Sequence, residues 1–483
     1  LFINHVQYLQ NRRAILAETQ DAGDSKTVSW IQKLGLSRWL KPSVNQIEST
    51  NEMSVETQTL PSQSNNKPEI KYIDNLSDLD AELLEVDKAF AISDEEGRRR
   101  LAGFEYVFKD HFPPDPYSTE YEAAQRQVYY ALTGRSSYSP DTGEYVEFDF
   151  EQVMREPFPY STRSPSVVGE QLIAQGFLIR AMNLPPAAKI VEFGPGWGNT
   201  TLHLAQMGYR VTAVEVGKNF VELIHHRARA LGVEVELVNQ DMATFQAAEQ
   251  YDACLFFESF HHCADHLGLL RNLHAMTTRD GLIAFAAEPV DDFPYPWGFV
   301  RTDGLTLWSI RRHGWYELGF DTSYFFRTLL LYGWLPERHT SDVAHSANVI
   351  IARKSHGHYN LAELNLPPDE AATWATPDPE HRFTTARSVM SCSRHSPVRE
   401  IEFCLSNFAP HELEITLTAG VAGRQIKLPA HCTKMVARLE PKDWQGQVVI
   451  NSQTWIPAEV YGTDDLRSLG VGVHWLNLRH SPS

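Results

Sequence analysis

The sequence predicts an α/β protein: a doubly wound, mostly parallel sheet in mid-chain, preceded by a helical cap and followed by an all-β sandwich. Three observations carry that prediction. Between residues 189 and 216 an apolar run, a loop with glycine at alternate positions, a helix-length segment and a second apolar run ending on an acid follow one another. Continuous apolar runs recur at 251–257 and 282–287, as parallel strands buried on both faces require. From residue 386 the period changes to alternation, as in Ile401/Phe403/Leu405 and Leu413/Ile415/Leu417, with turn-forming residues between the runs.

In the first of these stretches, Ile190-Val191-Glu192-Phe193 reads as a buried strand and Gly194, Gly196 and Gly198 as a loop. Residues 200–207 have helical spacing, Gly208 stops the helix, and 209–214 form a second strand that ends on Glu215. Glycines let the backbone approach a ligand, and a helix N-terminus offers free N–H groups, which together suit a nucleoside. Dinucleotide sites use G-x-G-x-x-G around a pyrophosphate. Here the pattern is G-P-G-W-G-N, with Trp197 where a phosphate needs room. Glu192 repels phosphate but suits an amino group, and Glu215 is placed to accept from ribose hydroxyls. An adenosine carrying an amino acid fits these residues better than one carrying a pyrophosphate.

VEFGPGWGNTT and VTAVEVG, followed by NQDMATF, YDACLFFESFHHCAD and LIAFAAEP, resemble the ordered motifs of class I S-adenosylmethionine-dependent methyltransferases. The resemblance covers about residues 165–355. It implies a Rossmann-like domain over 166–356 that closes on an antiparallel pair, with S-adenosyl-L-methionine as cofactor. It implies cofactor contacts from Glu192, Gly194, Gly196, Gly198 and Glu215, with Asp241 accepting from the adenine amine and Met242 packing on the ring. In that family, helices upstream of the glycine loop cover the cofactor. Tyr160 and Arg163, in the turn before the apolar helix at 167–182, then either reach the methionine end or pack the cap.

Ligands of open parallel sheets bind at the carboxyl ends of the strands. The fourth strand ends there in Glu258-Ser259-Phe260-His261-His262, beside the expected position of the sulfonium methyl. Methyl transfer to a hydroxyl requires removal of the acceptor proton, most often by histidine. His261 or His262 is read as that base, with Glu258 orienting one imidazole; alternatively one histidine caps the following helix, 267–276. Glu258, the two histidines and Asp265 are also potential metal ligands, but no spaced metal motif is present and no metal is assigned. Downstream of Glu288, which ends the fifth strand, the segment 290–320 interleaves Tyr295, Trp297, Trp308, Trp315 and Tyr316 with Arg301, Asp303, Arg311 and Arg312. Aromatic faces stack on sugar rings and arginines bond hydroxyls. Trp297, Arg301, Trp308 and Arg311 are therefore candidate acceptor-binding residues, unless the segment packs a local aromatic core.

The flanks read as a helical segment at 1–40, a Ser/Thr/Asn/Gln/Pro linker at 41–70, a helical cap at 71–165, a proline-rich linker at 357–385 and the β-sandwich at 386–483. The tail WIPAEVYGTDDLRSLGVGVHWLNL resembles a closing segment of β-rich appendages in bacterial polysaccharide glycosyltransferases and associated methyltransferases. It implies a sugar hydroxyl of a surface polysaccharide, or its precursor, as acceptor. A small metabolite acceptor, or a glycan-binding protein without catalysis, are the other readings. The net charge of −18 argues against a nucleic-acid partner. Five scattered cysteines, with no membrane-length apolar run or signal peptide, point to a soluble cytoplasmic protein. The first residue, Leu1, reads as the start of a piece of a longer polypeptide. Oligomeric state has no signature in the sequence.

Overall fold

The computed structural model of the chain describes residues 70–108, 111–299, 304–394 and 397–480. The segment expected at 1–40, all but the last residue of the linker expected at 41–70, and Arg301 lie outside the described residues. No helix among the described residues is long and apolar enough to cross a membrane.

The central sheet has seven strands, numbered along the chain: β1 (Lys189–Phe193), β2 (Arg210–Glu215), β3 (Glu236–Asn239), β4 (Tyr251–Phe257), β5 (Thr277–Ala286), β6 (Trp334–Thr340) and β7 (Asn348–Lys354). Their order is β6-β7-β5-β4-β1-β2-β3. β1 to β5 are parallel, while β7 runs antiparallel to β5 and to β6. The order reverses between β1 and β4, and that switch point opens a crevice at the carboxyl ends of the strands.

Both faces of the sheet are covered, so its central strands β1, β4 and the second half of β5 are mainly apolar rather than alternating apolar and polar. Ile190, Ala253, Leu255, Leu282, Ala284, Val349 and Ile351 point to one side and meet Leu178 and Met182 of the helix Pro165–Met182. Their neighbours Val191, Phe193, Cys254, Phe256, Ile283, Phe285 and Ile350 point to the other. Phe193, Phe256 and Phe285 stack across three adjacent strands, with centroids 5.0 and 5.4 Å apart. β5 starts five residues earlier than its apolar run: Thr277 follows directly on the helix His266–Met276 and pairs with Tyr251, and a register shift absorbs the polar residues between.

The region upstream of the sheet does not stand apart from it. Helices Leu76–Ile92 and Thr119–Thr133 and the strand Phe104–Tyr106 place Leu79, Leu83, Val86, Phe104, Tyr121 and Tyr129 in the same apolar cluster as the second sheet face. The helix Gly304–His313, inserted after β5, joins them through Leu307, Trp308 and Ile310.

The C-terminal region forms two antiparallel sheets, one built on Val398–Ser406 and Gly472–His480, the other on Leu413–Ala419 and Gln447–Ser452. Leu413, Ile415 and Leu417 alternate with half-buried residues, and they share one core with Ile401, Phe403 and Leu405. Residues 357–385, expected as a linker, belong to this unit. His358–Asn360 and Arg382–Phe383 both pair with Gly472–His480, and Leu361, Leu364, Leu366 and Trp374 enter the shared core. Proline content hid these contacts, because each paired piece is only two or three residues long. The unit is docked on the helix Thr322–Leu331: Leu330 enters its core, and Arg327 lies 3.0 Å from Glu370. Deleting 386–480 is therefore expected to expose Leu361, Leu364, Leu366 and Trp374 and to cause aggregation, read by light scattering and a lowered Tm. A truncated chain that stays monodisperse and melts with the full-length protein would contradict this.

Candidate active site

The crevice at the β1/β4 switch point is lined from four directions. The glycine loop contributes Glu192, Gly194, Gly196, Trp197 and Asn199, and the end of β2 contributes Glu215. The end of β4 contributes Phe257, Glu258, Ser259 and His262, with Met242 beside them. Glu144, Val146 and Phe158 of the upstream region, Gln171 and Gln175 of the following helix, and Trp315 close the space.

The loop is built for close approach. Gly194 and Gly196 sit at φ 62° and 50°, in the left-handed region that favours glycine, and a Cβ at Gly194 would lie 2.8 Å from that of Ser259. Glu215 holds the loop from below, accepting from the backbone N–H of Gly196 at 3.1 Å and of Gly217 at 2.7 Å. Gly198 takes no part in the lining; it starts the helix Asn199–Gln206, where a Cβ would strike Ile224.

Carboxylates dominate the electrostatics. Burial pushes Glu192 up to about 7 although Thr201 donates a hydrogen bond to it. Burial also raises Glu215 against the hydrogen bonds from Gly217 and Gly196. Glu258, at φ 51° where β4 ends, accepts from Gln171 Nε2 at 3.2 Å and is likewise pushed up to about 7 by burial. A non-glycine residue held at positive φ at the end of a strand is strain of the kind that collects at functional sites.

The two histidines have different surroundings, and neither is oriented by Glu258. His261 is buried behind the crevice wall. Its Nδ1 lies 2.7 Å from Glu288 Oε2, and burial, then His262, keep its pKa below the ordinary value. Glu288 also accepts from the backbone N–H groups of Ser259, Phe260 and His261. His262 faces the crevice with Nδ1 3.1 Å from Glu144 Oε2. Burial opposes its charge, but Glu144 and then Glu317 and Glu288 outweigh it and push the imidazole up to about 9. Asp265, not a histidine, caps the following helix, accepting from Gly268 N–H at 2.8 Å. It is thus committed away from the metal-ligand set considered from sequence.

Other expected residues fall elsewhere. Tyr160 is exposed and does not line the crevice; Phe158 does, its carbonyl accepting from Asn199 Nδ2 at 2.6 Å. Asp241 lies outside the lining, with one carboxylate oxygen accepting from Ala243 N–H, while Met242 lies inside it. Trp297, Trp308 and Arg311 do not reach the crevice. Trp297 Nε1 donates to the Pro116 carbonyl, Trp308 Nε1 donates to Asp87, and Arg311 pairs with Asp80 and the Leu132 carbonyl. Trp308 and Arg311 bolt the inserted helix to the upstream helices, and Trp297 ties the stretch before it to the upstream loop at Pro116. The sequence shows an aromatic and basic composition but not which partner it meets. Trp308→Ala is expected to lower stability by about 3–5 kcal/mol in urea unfolding. Arg311→Lys is expected to leave the acceptor KM unchanged; a raised KM in that variant would return Arg311 to the acceptor.

Residues 190–281 match the methyltransferase domain family. A curated, provisionally named methyltransferase of Geobacillus sp. (strain WCH70) is 24% identical over 103 residues, which are 20% of this chain and 42% of that protein. The chain thus spans less than half the length of that relative. Magnesium protoporphyrin IX methyltransferase from Synechocystis PCC 6803, solved with bound S-adenosylmethionine, overlaps 46% of this chain and 100% of its own, at 15% identity and TM-score 0.33. N-methyltransferase NodS from Bradyrhizobium japonicum overlaps 45% of this chain and 98% of its own, at 14% identity and TM-score 0.31.

The methyltransferase domain suits its cofactor chemically. Three carboxylates, the buried Glu192 and Glu215 and the half-buried Glu258, are held up toward neutrality by desolvation, and a ligand bearing sulfonium and ammonium charges relieves that cost. Asn199 Oδ1 is a buried acceptor in the lining with no hydrogen-bond partner among the described residues. Residues that sequence reasoning missed are Glu144, Gln171 and Phe158, while Trp315 is the one aromatic of the 290–320 segment that does line the crevice. None of the three belongs to a local motif, and Glu144 lies 118 positions before the histidine it faces.

Proposed function

We propose that the chain transfers the cofactor's methyl group to a hydroxyl, with Glu258 as the group that removes the hydroxyl proton. The supporting observation is that Glu258 faces the crevice at the carboxyl end of β4 with its carboxyl pushed up to about 7, where a general base works best at neutral pH. His262, raised to about 9 beside Glu144, is cationic at neutral pH and a poorer base. When bound, the cofactor supplies an electrophilic methyl on a cationic sulfur. Glu215 and the loop at Gly194 and Gly196 hold its ribose, Met242 packs on its adenine, and Glu192 and Asn199 take its amino-acid end. Glu258 and Gln171 position the acceptor oxygen in line with the methyl.

The acceptor we infer is not anionic, because an anion would meet Glu144, Glu192 and Glu258 in the crevice. A sugar hydroxyl of a surface polysaccharide or its precursor is the reading supported by the β-rich C-terminal region and its tail. A hydroxylated small molecule is the second reading, favoured because the segment 290–320 uses Trp297, Trp308 and Arg311 for internal packing. Methyl transfer from labelled cofactor to matched neutral, amino and carboxylated sugars and to small phenols and alcohols tests both. Transfer confined to the neutral sugars supports the first, and transfer confined to small alcohols or phenols supports the second. Preferential methylation of a carboxylated sugar would overturn the charge argument.

A further inference from the structure

At the crevice wall His261, His262 and Glu317 each offer a ligand atom, and these atoms lie within 4.8 Å of one another. The imidazoles are already set as metal ligands are. Nδ1 of His261 faces Glu288 at 2.7 Å and Nδ1 of His262 faces Glu144 at 3.1 Å. A carboxylate on one ring nitrogen fixes the tautomer and ring angle of a metal-ligating imidazole. Nε2 of His261 is 3.6 Å from Glu317 Oε2. The backbone holds this arrangement too. Glu288 accepts from three successive N–H groups of the histidine turn, and Leu318 N–H donates to the His261 carbonyl, tying the segment that carries Glu317 to that turn.

We propose that His261, His262 and Glu317 bind one divalent transition-metal ion, of the Zn²⁺ class, in a two-histidine, one-carboxylate site. Two imidazoles and one carboxylate are the donor set of many such centres, and three protein ligands leave a position open. With metal–ligand bonds of about 2.0–2.1 Å, tetrahedral ligand atoms stand about 3.3 Å apart. The three atoms therefore close up by no more than about 1.5 Å. His262 and Trp315 line the crevice, so the open position borders the space where the acceptor binds. There the ion would take the acceptor oxygen as its fourth ligand. That role rests on the function proposed above; metal binding itself does not.

The test uses the full chain, stripped with a chelator and dialysed, then titrated with Zn²⁺ by calorimetry and assayed for metal content. One ion per chain is expected. Reconstitution with Co²⁺ should give visible absorption bands of a nitrogen- and oxygen-ligated ion, a readout that needs no variant. Glu317→Gln and His261→Ala should abolish stoichiometric binding. Glu288→Gln should weaken it by about ten- to a hundredfold through the lost contact to His261. Asp265→Asn, at the nearby helix cap, should bind as the unaltered chain does. Folding of each variant is checked by circular dichroism. Absence of stoichiometric Zn²⁺ and Co²⁺ binding in the folded chain would overturn the proposal, as would undiminished binding in folded Glu317→Gln. Metal binding without hydroxyl methylation would sink the proposed function and leave the site standing; methylation without metal binding would do the reverse.

Discussion

Glu258→Gln is expected to lower kcat by about a hundred- to ten-thousand-fold, the range contributed by a positioned general base, while cofactor affinity changes little. Glutamine keeps the size of the side chain and can still pair with Gln171, so loss of fold is not the expected cause. The pH dependence gives the sharper readout. The base acts deprotonated, and burial holds Glu258 up to about 7. In kcat/KM, which reports the free enzyme, the rate should therefore rise about tenfold per pH unit below that value and level off above it, and the rising limb should vanish in Glu258→Gln. A limb near 9 that survives in Glu258→Gln and disappears in His262→Ala would transfer the role to His262, whose pKa is raised to about 9 by its carboxylate neighbours.

The parts of this fold that are legible in the sequence are those whose signal is local. β4 is found at Tyr251–Phe257 because a parallel strand covered on both faces is apolar over most of its length, here at each residue but Asp252. The glycine loop is legible because its positive φ angles restrict residue choice. The candidate site is only half local. Glu258, His261 and His262 stand at a predictable strand end, but the groups that give them different chemistry arrive from elsewhere. Glu144 reaches His262 from the upstream region, and Glu317 reaches His261 from the insertion after β5. Glu288 lies two residues past the end of the neighbouring strand, yet nothing in its surroundings marks it as the anchor of the histidine turn. Composition misleads where two environments select the same residues. Trp308 and Arg311 would serve a sugar site or a helix interface equally well, and the partners Asp87 and Asp80 that decide between them lie more than 200 positions earlier.

Glu215→Ala is expected to be damaging twice over. In the protein without ligand, the carboxylate is the acceptor for two backbone donors, Gly196 at 3.1 Å and Gly217 at 2.7 Å. Removing it leaves both without that acceptor, at about 1–3 kcal/mol for each buried donor, so Tm should fall. In the complex, the same carboxylate is proposed to accept from the ribose hydroxyls, and each charge-assisted hydrogen bond contributes about 1.5–3 kcal/mol. S-adenosylhomocysteine binding by calorimetry should therefore weaken by roughly ten- to a hundredfold per lost bond. The two effects separate experimentally. If the variant melts lower but binds S-adenosylhomocysteine as tightly as the unaltered chain, Glu215 shapes the glycine loop without touching the ribose. If affinity and Tm both fall, and adenosine alone shows the same loss while methionine does not, the carboxylate acts on the nucleoside end as proposed.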